Sequence, residues 1–383
     1  MKRVYLDHNA TTPMREEVRA HLRDKMTELE GNPSSVHRTG RRARAALDDA
    51  RARTAAALGV HEDEVFFTSG GTESVNLALL GASRARGKAG FLTSTAEHSC
   101  VLGAADALAD RGVPVHRIGV DSRCRVDPEE ALELAARAEV GLVSVMTANN
   151  EVGTLQPLGI IGAGLDSHQR EKALFHTDAV QALGRIPVRL DEWRIDLASV
   201  SAHKVGGPLG VGVLFKRRGL QLAPLMHGGG QEAGLRPGSE NVPAISAASL
   251  AFELAVRERE ESASRIRELS LMLWHELAAT LPDVELLGPP IESNGRLPNT
   301  LEIVVGGIDG RMLVARLDLE GLEVSAGSAC ASGSLEPSHV LLAMGRSVES
   351  ARSGLRLSLG RESNREDIHT AVEILKRAVS DLR

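Results

Sequence analysis

A lysine at the end of a strand-like run is the residue of this chain best placed for covalent chemistry. Lys204 lies in LASVSAHKVGGP (residues 197–208), where an apolar run ends in Ser, His and Lys before two glycines. A buried lysine that has lost its proton can attack a carbonyl carbon as a free amine. Only seven of the 45 basic residues are lysines, so Lys204 is not one of many surface charges. The ordinary alternative is an exposed lysine that follows a strand.

An aspartate in a similar position complements this lysine. Asp178 ends another apolar run, in HTDAVQ (residues 176–181). A lysine amine and a carboxylate for a pyridinium nitrogen are the minimum that pyridoxal phosphate (PLP) chemistry requires of a protein. On these two residues alone, PLP binding and the ordinary alternative of an exposed lysine with an N-capping aspartate are about equally open.

A glycine-containing turn is the candidate phosphate site. In FFTSGGTESVN (residues 66–76), Gly71 allows close approach of the backbone, and the helix that follows offers free N–H groups at its N-terminus. Thr72 adds a hydroxyl, and Ser201 and His203 are further candidate contacts beside Lys204. The same turn also fits a plain strand–helix connection with a threonine N-cap.

Two more strand ends carry polar side chains. His98 follows the next predicted strand, and a flat imidazole there can cover the face of a cofactor ring and move protons. A lone histidine is more often structural. Asn149 and Asn150 follow a buried strand and suit the polar edge of a ligand, although paired asparagines are also ordinary loop residues.

The C-terminal third holds a cysteine and an arginine in unusual settings. Cys330 lies in SAGSACASGS (residues 325–334), among residues with almost no side chain. An exposed thiol on such a segment indicates a nucleophile that travels, and the alternative is a small residue in a tight turn. Arg356 is a charge within an apolar strand, where its carboxylate partner is either structural or part of a substrate.

Composition excludes several classes of function. The 383 residues can hold a large core in two domains, with 42% apolar residues and a net charge of −6. No basic block stands out, so we expect no direct binding of nucleic acid. The chain has neither a signal-like N-terminus nor a membrane-spanning stretch, and we expect it to stay in the cytosol. Its three cysteines, Cys100, Cys124 and Cys330, fit no disulfide framework or zinc pattern.

The elements that must position these residues follow an α/β pattern. Strand-like runs are predicted at residues 65–69, 90–94, 113–118, 141–146, 173–177, 197–201 and 210–215, with helical patterns between several of them. One helix is predicted over residues 40–58 and ends before Gly59. Alternating strands and helices predict a mainly parallel sheet covered on both faces, with ligands at the carboxyl ends of its strands.

The pattern changes after about residue 248. A long helical pattern (253–281) precedes a strand (299–305), a helix (309–319), the Gly/Ser-rich segment, a strand (355–359) and a closing helix from about Arg365. These elements predict a smaller α+β domain. We place the large domain at residues 15–255 and the small domain at residues 1–14 and 256–383.

Taken together, these motifs resemble the cysteine desulfurases, a family of class V, fold-type I PLP enzymes. The matching segments run nearly end to end, at residues 5–13, 31–37, 69–76, 97–98, 149–154, 176–181, 201–208, 228–241, 325–333, 337–341 and 356–360. The Gly-Ser-Ala-Cys setting of Cys330 resembles the NifS/IscS group, in which a longer, mobile loop carries the cysteine to acceptor proteins.

The resemblance implies a role for each matching residue. Lys204 would hold PLP, Asp178 would keep its ring nitrogen protonated, Gln181 would bond its phenolic oxygen, and His98 would stack on the ring and transfer protons. Gly71, Thr72, Ser201 and His203 would bind the phosphate, and Asn150 would position cofactor or substrate. Arg356 would bind the substrate carboxylate, and Cys330 would take sulfur from L-cysteine as a persulfide, leaving alanine.

Three positions depart from the family pattern. Ser239 stands where relatives have a threonine whose hydroxyl reaches the phosphate of the neighbouring subunit. Residues 159–170 carry extra glycines and a histidine where relatives have a regular helix. For Cys100, two residues after His98, we favour packing over catalysis.

The resemblance also implies partners and competing functions. We expect a homodimer, a protein sulfur acceptor such as one of iron–sulfur cluster assembly, and no metal site beyond a transient cluster contact at Cys330. A selenocysteine lyase or another class V PLP enzyme would share the chemistry. A non-catalytic sulfur-carrier scaffold would share only the fold.

Overall fold

The structure of this chain is a computed structural model, which describes residues 3–87, 89–137, 140–168, 173–327 and 336–383. The strands are β1 (Val4–Tyr5), β2 (Val65–Thr68), β3 (Gly90–Ser94), β4 (Val115–Ile118), β5 (Val140–Ser144), β6 (Leu174–Asp178), β7 (Leu197–Ser201), β8 (Gly212–Lys216), β9 (Val284–Leu287), β10 (Thr300–Val305), β11 (Leu322–Glu323) and β12 (Gly354–Ser358). The helices are α1 (Glu16–Glu28), α2 (Arg38–Leu58), α3 (Gly71–Arg86), α4 (Ser99–Ala109), α5 (Pro128–Arg137), α6 (Leu158–His168), α7 (Val242–Arg257), α8 (Arg259–Thr280), α9 (Gly310–Leu319), α10 (His339–Ala343), α11 (Val348–Arg352) and α12 (Arg365–Leu382).

The larger sheet has seven strands in the order β2-β8-β7-β6-β5-β3-β4. The five strands from β7 to β4 are parallel, and β8 runs antiparallel to both of its neighbours. The predicted mainly parallel sheet is confirmed, and each of the seven predicted strands lies within two residues of an observed one. Parallel strands all end at the same edge of the sheet, so the side chains that follow them meet there.

Alternate side chains of the strands bury both faces of this sheet. Leu142 and Leu174 pack with apolar residues of α3 and α4, whereas Val143 and Phe175 pack with α5 and α6. Compared with the helix predicted over residues 40–58, α2 begins two residues earlier, at Arg38, and ends at Leu58 as predicted. Its C-cap is Gly59, whose φ of 69° is the left-handed conformation that glycine allows.

The C-terminal part forms a second layer. Strands β12, β10 and β9 make a three-stranded antiparallel sheet against α8, α9 and α12, and β1 pairs with β11 in parallel. The two strands, the helix and the closing helix that were predicted after residue 298 are all present, as β10, β12, α9 and α12. Strand β9, a four-residue run with one buried residue, was not predicted.

One predicted helix is wrong. The pattern over residues 253–281 is split between α7 and α8, which meet at Glu258. Glu258 has φ −92° and ψ 0°, and its carboxylate accepts a hydrogen bond of 2.7 Å from Arg15. The break is accompanied by an ion pair with a distant residue rather than by a glycine or proline. The pattern of apolar residues along the sequence therefore did not predict the break. The predicted domain boundary near residue 255 lies beside this break and stays a prediction.

Two further findings concern single elements. The glycine-rich residues after Pro157 do form a regular helix, α6. Among the residues that the structure describes, no helix combines the length and apolar character needed to cross a membrane.

Candidate active site

A cleft of about 320 Å³ opens at the carboxyl ends of the parallel strands. Every site residue predicted from the sequence lines this cleft, with the exceptions of Asn149, Ser239 and Cys330. The lining residues are Asn9, Ala10, Gly71, Thr72, His98, Cys100, Met146, Ala148, Asn150, Asp178, Val180, Gln181, Ser201, His203, Lys204 and Arg356. Residues from seven separate segments of the chain therefore converge on one site.

Lys204 enters the cleft from a short 3-10 helix, Ala202–Val205, directly after β7. Its Nζ donates hydrogen bonds to the carbonyl oxygens of Asn9 (2.6 Å) and Ala10 (2.7 Å). The N-terminal segment thus orients the amine, and two carbonyl acceptors favour its charged form. A carbonyl group bound in the cleft would meet an amine that is held in position.

Asp178 is the last residue of β6 and is only 6% exposed. The backbone N–H of Val180 donates to its Oδ1 at 2.9 Å. Burial raises the pKa of this carboxyl group, and the charges of His98 and Lys204 act in the opposite direction. A buried carboxylate with so few donors is suited to a cationic partner, such as a protonated ring nitrogen.

His98 is the N-cap of α4. Its Nδ1 accepts a hydrogen bond from the backbone N–H of Cys100 (3.2 Å) and lies 2.9 Å from the Cys100 sulfur. His98, Cys100 and Asp178 each bring a polar side-chain atom to within 4.8 Å of the others. Because His98 and Asp178 both border the cleft, we interpret this cluster as the ring-binding end of a cofactor site.

Another part of the cleft has the features of a phosphate site. A Cβ atom at Gly71 would lie 2.8 Å from Val180 Cγ2, so glycine in the first turn of α3 leaves room for the Val180 side chain. Ser201 ends β7 nearby, and His203 Nδ1 lies 3.1 Å from the Thr11 hydroxyl. Burial and the neighbouring Lys204 lower the pKa of His203 to about 4, so this ring is a neutral hydrogen-bonding group at pH 7.

The residues present fit PLP. They provide a lysine amine, a buried carboxylate, an imidazole and a helix N-terminus where a side chain would clash, all around one cleft. Gln181 donates from Nε2 to the Asn9 carbonyl at 3.0 Å, and its Oε1 accepts from Arg185. The predicted bond from Gln181 to a cofactor oxygen stays a prediction.

Arg356 is 1% exposed, and the structure shows its internal partner. Its Nη2 donates to Asp7 Oδ1 at 2.8 Å, and Nη1 donates to the Asn150 carbonyl at 3.1 Å. From the sequence, the carboxylate partner of Arg356 was either a structural residue or part of a substrate. Asp7 is a structural partner of this kind. Since Arg356 also borders the cleft, a substrate carboxylate would share this guanidinium with Asp7.

Three predicted residues are not in the cleft. Asn149 is fully buried, and its Nδ2 donates to the Ala96 carbonyl at 3.0 Å. Ser239 borders a separate small pocket with Ser69 and Gly210, so a phosphate contact from it stays a prediction for a neighbouring subunit. Cys330 lies outside the described residues, as do residues 328–335 around it.

Sequence reasoning assigned no role to Asn9, although it joins several parts of the site. Its Nδ2 donates to the Asn150 carbonyl (3.1 Å) and to the Thr300 hydroxyl (2.9 Å), while its carbonyl accepts from Lys204 and Gln181. The only available signal was its place in an Asp-His-Asn run directly after an apolar pair.

Comparisons with known proteins agree with this geometry. The family model described as Aminotransferase class-V matches residues 4–370. The chain belongs to the class-V aminotransferase family. Within this family it is similar to cysteine desulfurases: a Cysteine desulfurase IscS of Dictyoglomus turgidum is 42% identical over 386 residues, covering 100% of this chain and 96% of that protein.

Solved structures lead to the same family. A NifS-like protein superimposes with a TM-score of 0.92 at 37% identity and covers 100% of both chains. A structure of SspA in complex with cysteine has a TM-score of 0.78 at 32% identity and covers 93% of this chain and 98% of that one. The predicted resemblance and the predicted fold-type I architecture are confirmed.

Proposed function

We propose that this class-V family member is a PLP-dependent cysteine desulfurase that converts L-cysteine to L-alanine and holds the sulfur as a persulfide on Cys330. The observation that carries the proposal is the meeting of Lys204, Asp178 and His98 around one cleft, which is also lined by Gly71 at the start of α3. The full-length similarity to cysteine desulfurases supports the choice of this activity over others of the family.

The chain's residues hold and tune the cofactor. Lys204 would bind its carbonyl carbon, Asp178 would stabilise the protonated ring nitrogen, and His98 would cover the ring. Gly71 and Thr72 at the start of α3, with Ser201 and His203, would bind the phosphate. When bound, PLP supplies an electron sink for the bonds of the substrate's α-carbon.

Other residues orient the substrate. Arg356 offers its guanidinium to the carboxylate of L-cysteine, and the Asp7 and Asn150 contacts keep that guanidinium at the cleft wall. Lys204 and His98 both line the cleft, and each carries a group that can remove a proton from the substrate or return one. The buried setting of Arg356 strengthens its attraction for a carboxylate.

The sulfur transfer balances without an outside oxidant. The thiolate of Cys330 attacks the substrate sulfur, so a sulfur–sulfur bond forms while the carbon–sulfur bond breaks. The electron pair of the broken bond stays with carbon, which takes up a proton and becomes the methyl group of alanine. A thiol and L-cysteine thus yield a persulfide and alanine.

The finer features of the proposal concern partners and location. We expect a cytoplasmic homodimer in which residues 228–241 complete the partner subunit's phosphate site, which sedimentation velocity can test. The persulfide is expected to pass to a protein acceptor, such as one of iron–sulfur cluster assembly. A pull-down of proteins trapped on the persulfide would identify this acceptor.

The test compares two lysines at strand ends. Lys204 borders the cleft, whereas Lys216 ends β8 and donates to the Leu220 carbonyl. The purified chain with PLP should show a visible absorption band and release alanine from L-cysteine. Lys204→Ala should lose both the band and the borohydride-trapped cofactor, and Lys216→Ala should keep them.

Three outcomes would oppose the proposal. A trapped cofactor in Lys204→Ala would place the reactive amine elsewhere. A chain that binds no PLP would support the scaffold alternative, and a chain that consumes selenocysteine but not L-cysteine would support the lyase.

A further inference from the structure

Cys100 contacts the imidazole that borders the cleft, although its sequence setting favours packing. It is the second residue of α4, and its sulfur lies 2.9 Å from Nδ1 of His98. Cys100 itself is only partly buried and also lines the cleft. At this distance the thiol is a hydrogen-bond partner of the ring, and Cys100 also packs against the apolar residues of α3 and α4.

The geometry defines which atom of the ring carries the proton. The backbone N–H of Cys100 also points at Nδ1, at 3.2 Å. Backbone N–H groups only donate, so Nδ1 is the acceptor and the neutral ring carries its proton on Nε2. Burial raises the pKa of the Cys100 thiol, which therefore keeps its proton at neutral pH and is a second donor to Nδ1.

Other polar and charged groups of the described residues surround this pair. Asp178 faces it from the end of β6, and Lys204 interacts with Asp178 from beyond β7. Glu97 precedes His98, and burial raises its pKa to about 8, so it is mainly neutral at pH 7. The N-terminus of α4 disfavours a positive charge on its own N-cap.

We propose that Cys100 is a positioning residue of His98, whose thiol and backbone N–H together hold the imidazole as the neutral tautomer protonated on Nε2. The proposal deepens the function proposed above and rests on it in one respect, because it assigns proton transfer by His98 to Nε2 alone. A hydroxyl can replace the thiol as donor, whereas a methyl group cannot.

The experiment measures the protonation of the ring directly. The holoenzyme is labelled with ¹⁵N-histidine, its ring nitrogens are followed by NMR through a pH titration, and His98→Gln identifies the signals. The native protein should show the Nε2-protonated tautomer. In Cys100→Ala the neutral ring loses a donor, so His98 should become protonated about half a pH unit to one unit higher.

Two further variants make the test specific. Cys100→Ser keeps a donor at Nδ1 and should restore the native titration. Cys124→Ser, at a buried cysteine away from the cleft, should leave the titration unchanged. The acid limb of the kcat profile should move with the NMR titration in Cys100→Ala, with KM little changed.

The outcomes separate this inference from the proposed function. Native titration in Cys100→Ala, or equal shifts in the Ala and Ser variants, would overturn the role of the thiol. A holoenzyme that titrates as described yet releases no alanine would refute the desulfurase activity and leave the ring assignment standing.

Discussion

The carboxyl group of Glu97, buried next to His98, is one whose protonation the fold alters. Glu97 is fully buried, and its Oε1 accepts from the Ser94 hydroxyl (3.1 Å) and the Met146 N–H (2.8 Å). Its Oε2 has no hydrogen-bond partner in the described part of the chain. Burial, opposed by these donors, raises the pKa from 4.5 to about 8.

This shift predicts how stability depends on pH. The folded state keeps the Glu97 proton up to about pH 8, whereas the unfolded chain loses it near 4.5. The stabilisation from this group is therefore complete below pH 4.5, declines as pH rises and is lost above pH 8. The side chain of Glu97→Gln stays neutral at every pH. The free energy of unfolding of this variant, relative to that of the native protein, should therefore rise by a few kcal/mol as the pH increases from 5 to 9.

Urea unfolding of both proteins at several pH values checks this prediction. The exposed Glu192, which pairs with Arg189 on the surface, provides the control, because Glu192→Gln should follow the native curve. If the free energies of unfolding of Glu97→Gln and the native protein changed equally with pH, Glu97 would be ionised in the folded protein.

At the residue scale, the sequence predicted which side chains line the cleft better than it predicted their hydrogen-bond partners. Lys204, Asp178 and His98 were found because each follows an apolar run, and parallel strands bring such ends together. The Asn9 and Ala10 carbonyls that hold Lys204 come from almost 200 residues away, so no local pattern points to them. The Asp7 partner of Arg356 was hidden for the same reason.

At the scale of elements, the glycines of α6 show how packing replaces propensity. A Cβ atom at Gly162 would lie 2.0 Å from the Trp193 carbonyl oxygen. The glycine therefore lets this helix approach the chain before β7, at a cost in intrinsic helix propensity. From sequence, the same glycines made the helix doubtful, because a close approach of backbones is not visible in a local pattern.

Two glycines in helix interiors provide a matched test. Gly162→Ala should lower the free energy of unfolding by about 1–3 kcal/mol, because the new methyl group overlaps the Trp193 carbonyl. At Gly103, in α4, no described atom lies within 4 Å of a new Cβ, so Gly103→Ala should stabilise the protein by up to about 1 kcal/mol. Thermal unfolding of both variants checks the opposite signs, and equal effects would refute the packing explanation.

The break between α7 and α8 is the element that periodicity could not predict. Strands and caps depend on neighbouring residues, and these were predicted to within about two positions. The break at Glu258 coincides with an ion pair to Arg15, more than 240 residues away in sequence. Element boundaries that depend on distant partners need the folded structure.

At the scale of the whole molecule, the N-terminal segment connects the two sheets. Asn9 bonds to the Thr300 hydroxyl at the start of β10 and to the amine after β7, and its N–H donates to Ser358 Oγ (2.9 Å). A displacement of the smaller sheet would therefore move Asn9, and through its hydrogen bond to Lys204 would change the position of the amine. We infer that the placement of the N-terminal segment is required for both cofactor orientation and substrate binding.

The central claim is that sulfur leaves L-cysteine by transfer to Cys330, and mass spectrometry of the protein after turnover tests it most directly. The native holoenzyme, treated with L-cysteine without a reductant, should gain about 32 Da, the mass of one sulfur atom, on the peptide that contains Cys330. Cys330→Ser should bind PLP and L-cysteine normally but release alanine at least about 100-fold more slowly, while Cys124→Ser should keep most of its activity. Normal alanine release by Cys330→Ser, or added sulfur found only on Cys100 or Cys124, would contradict the account.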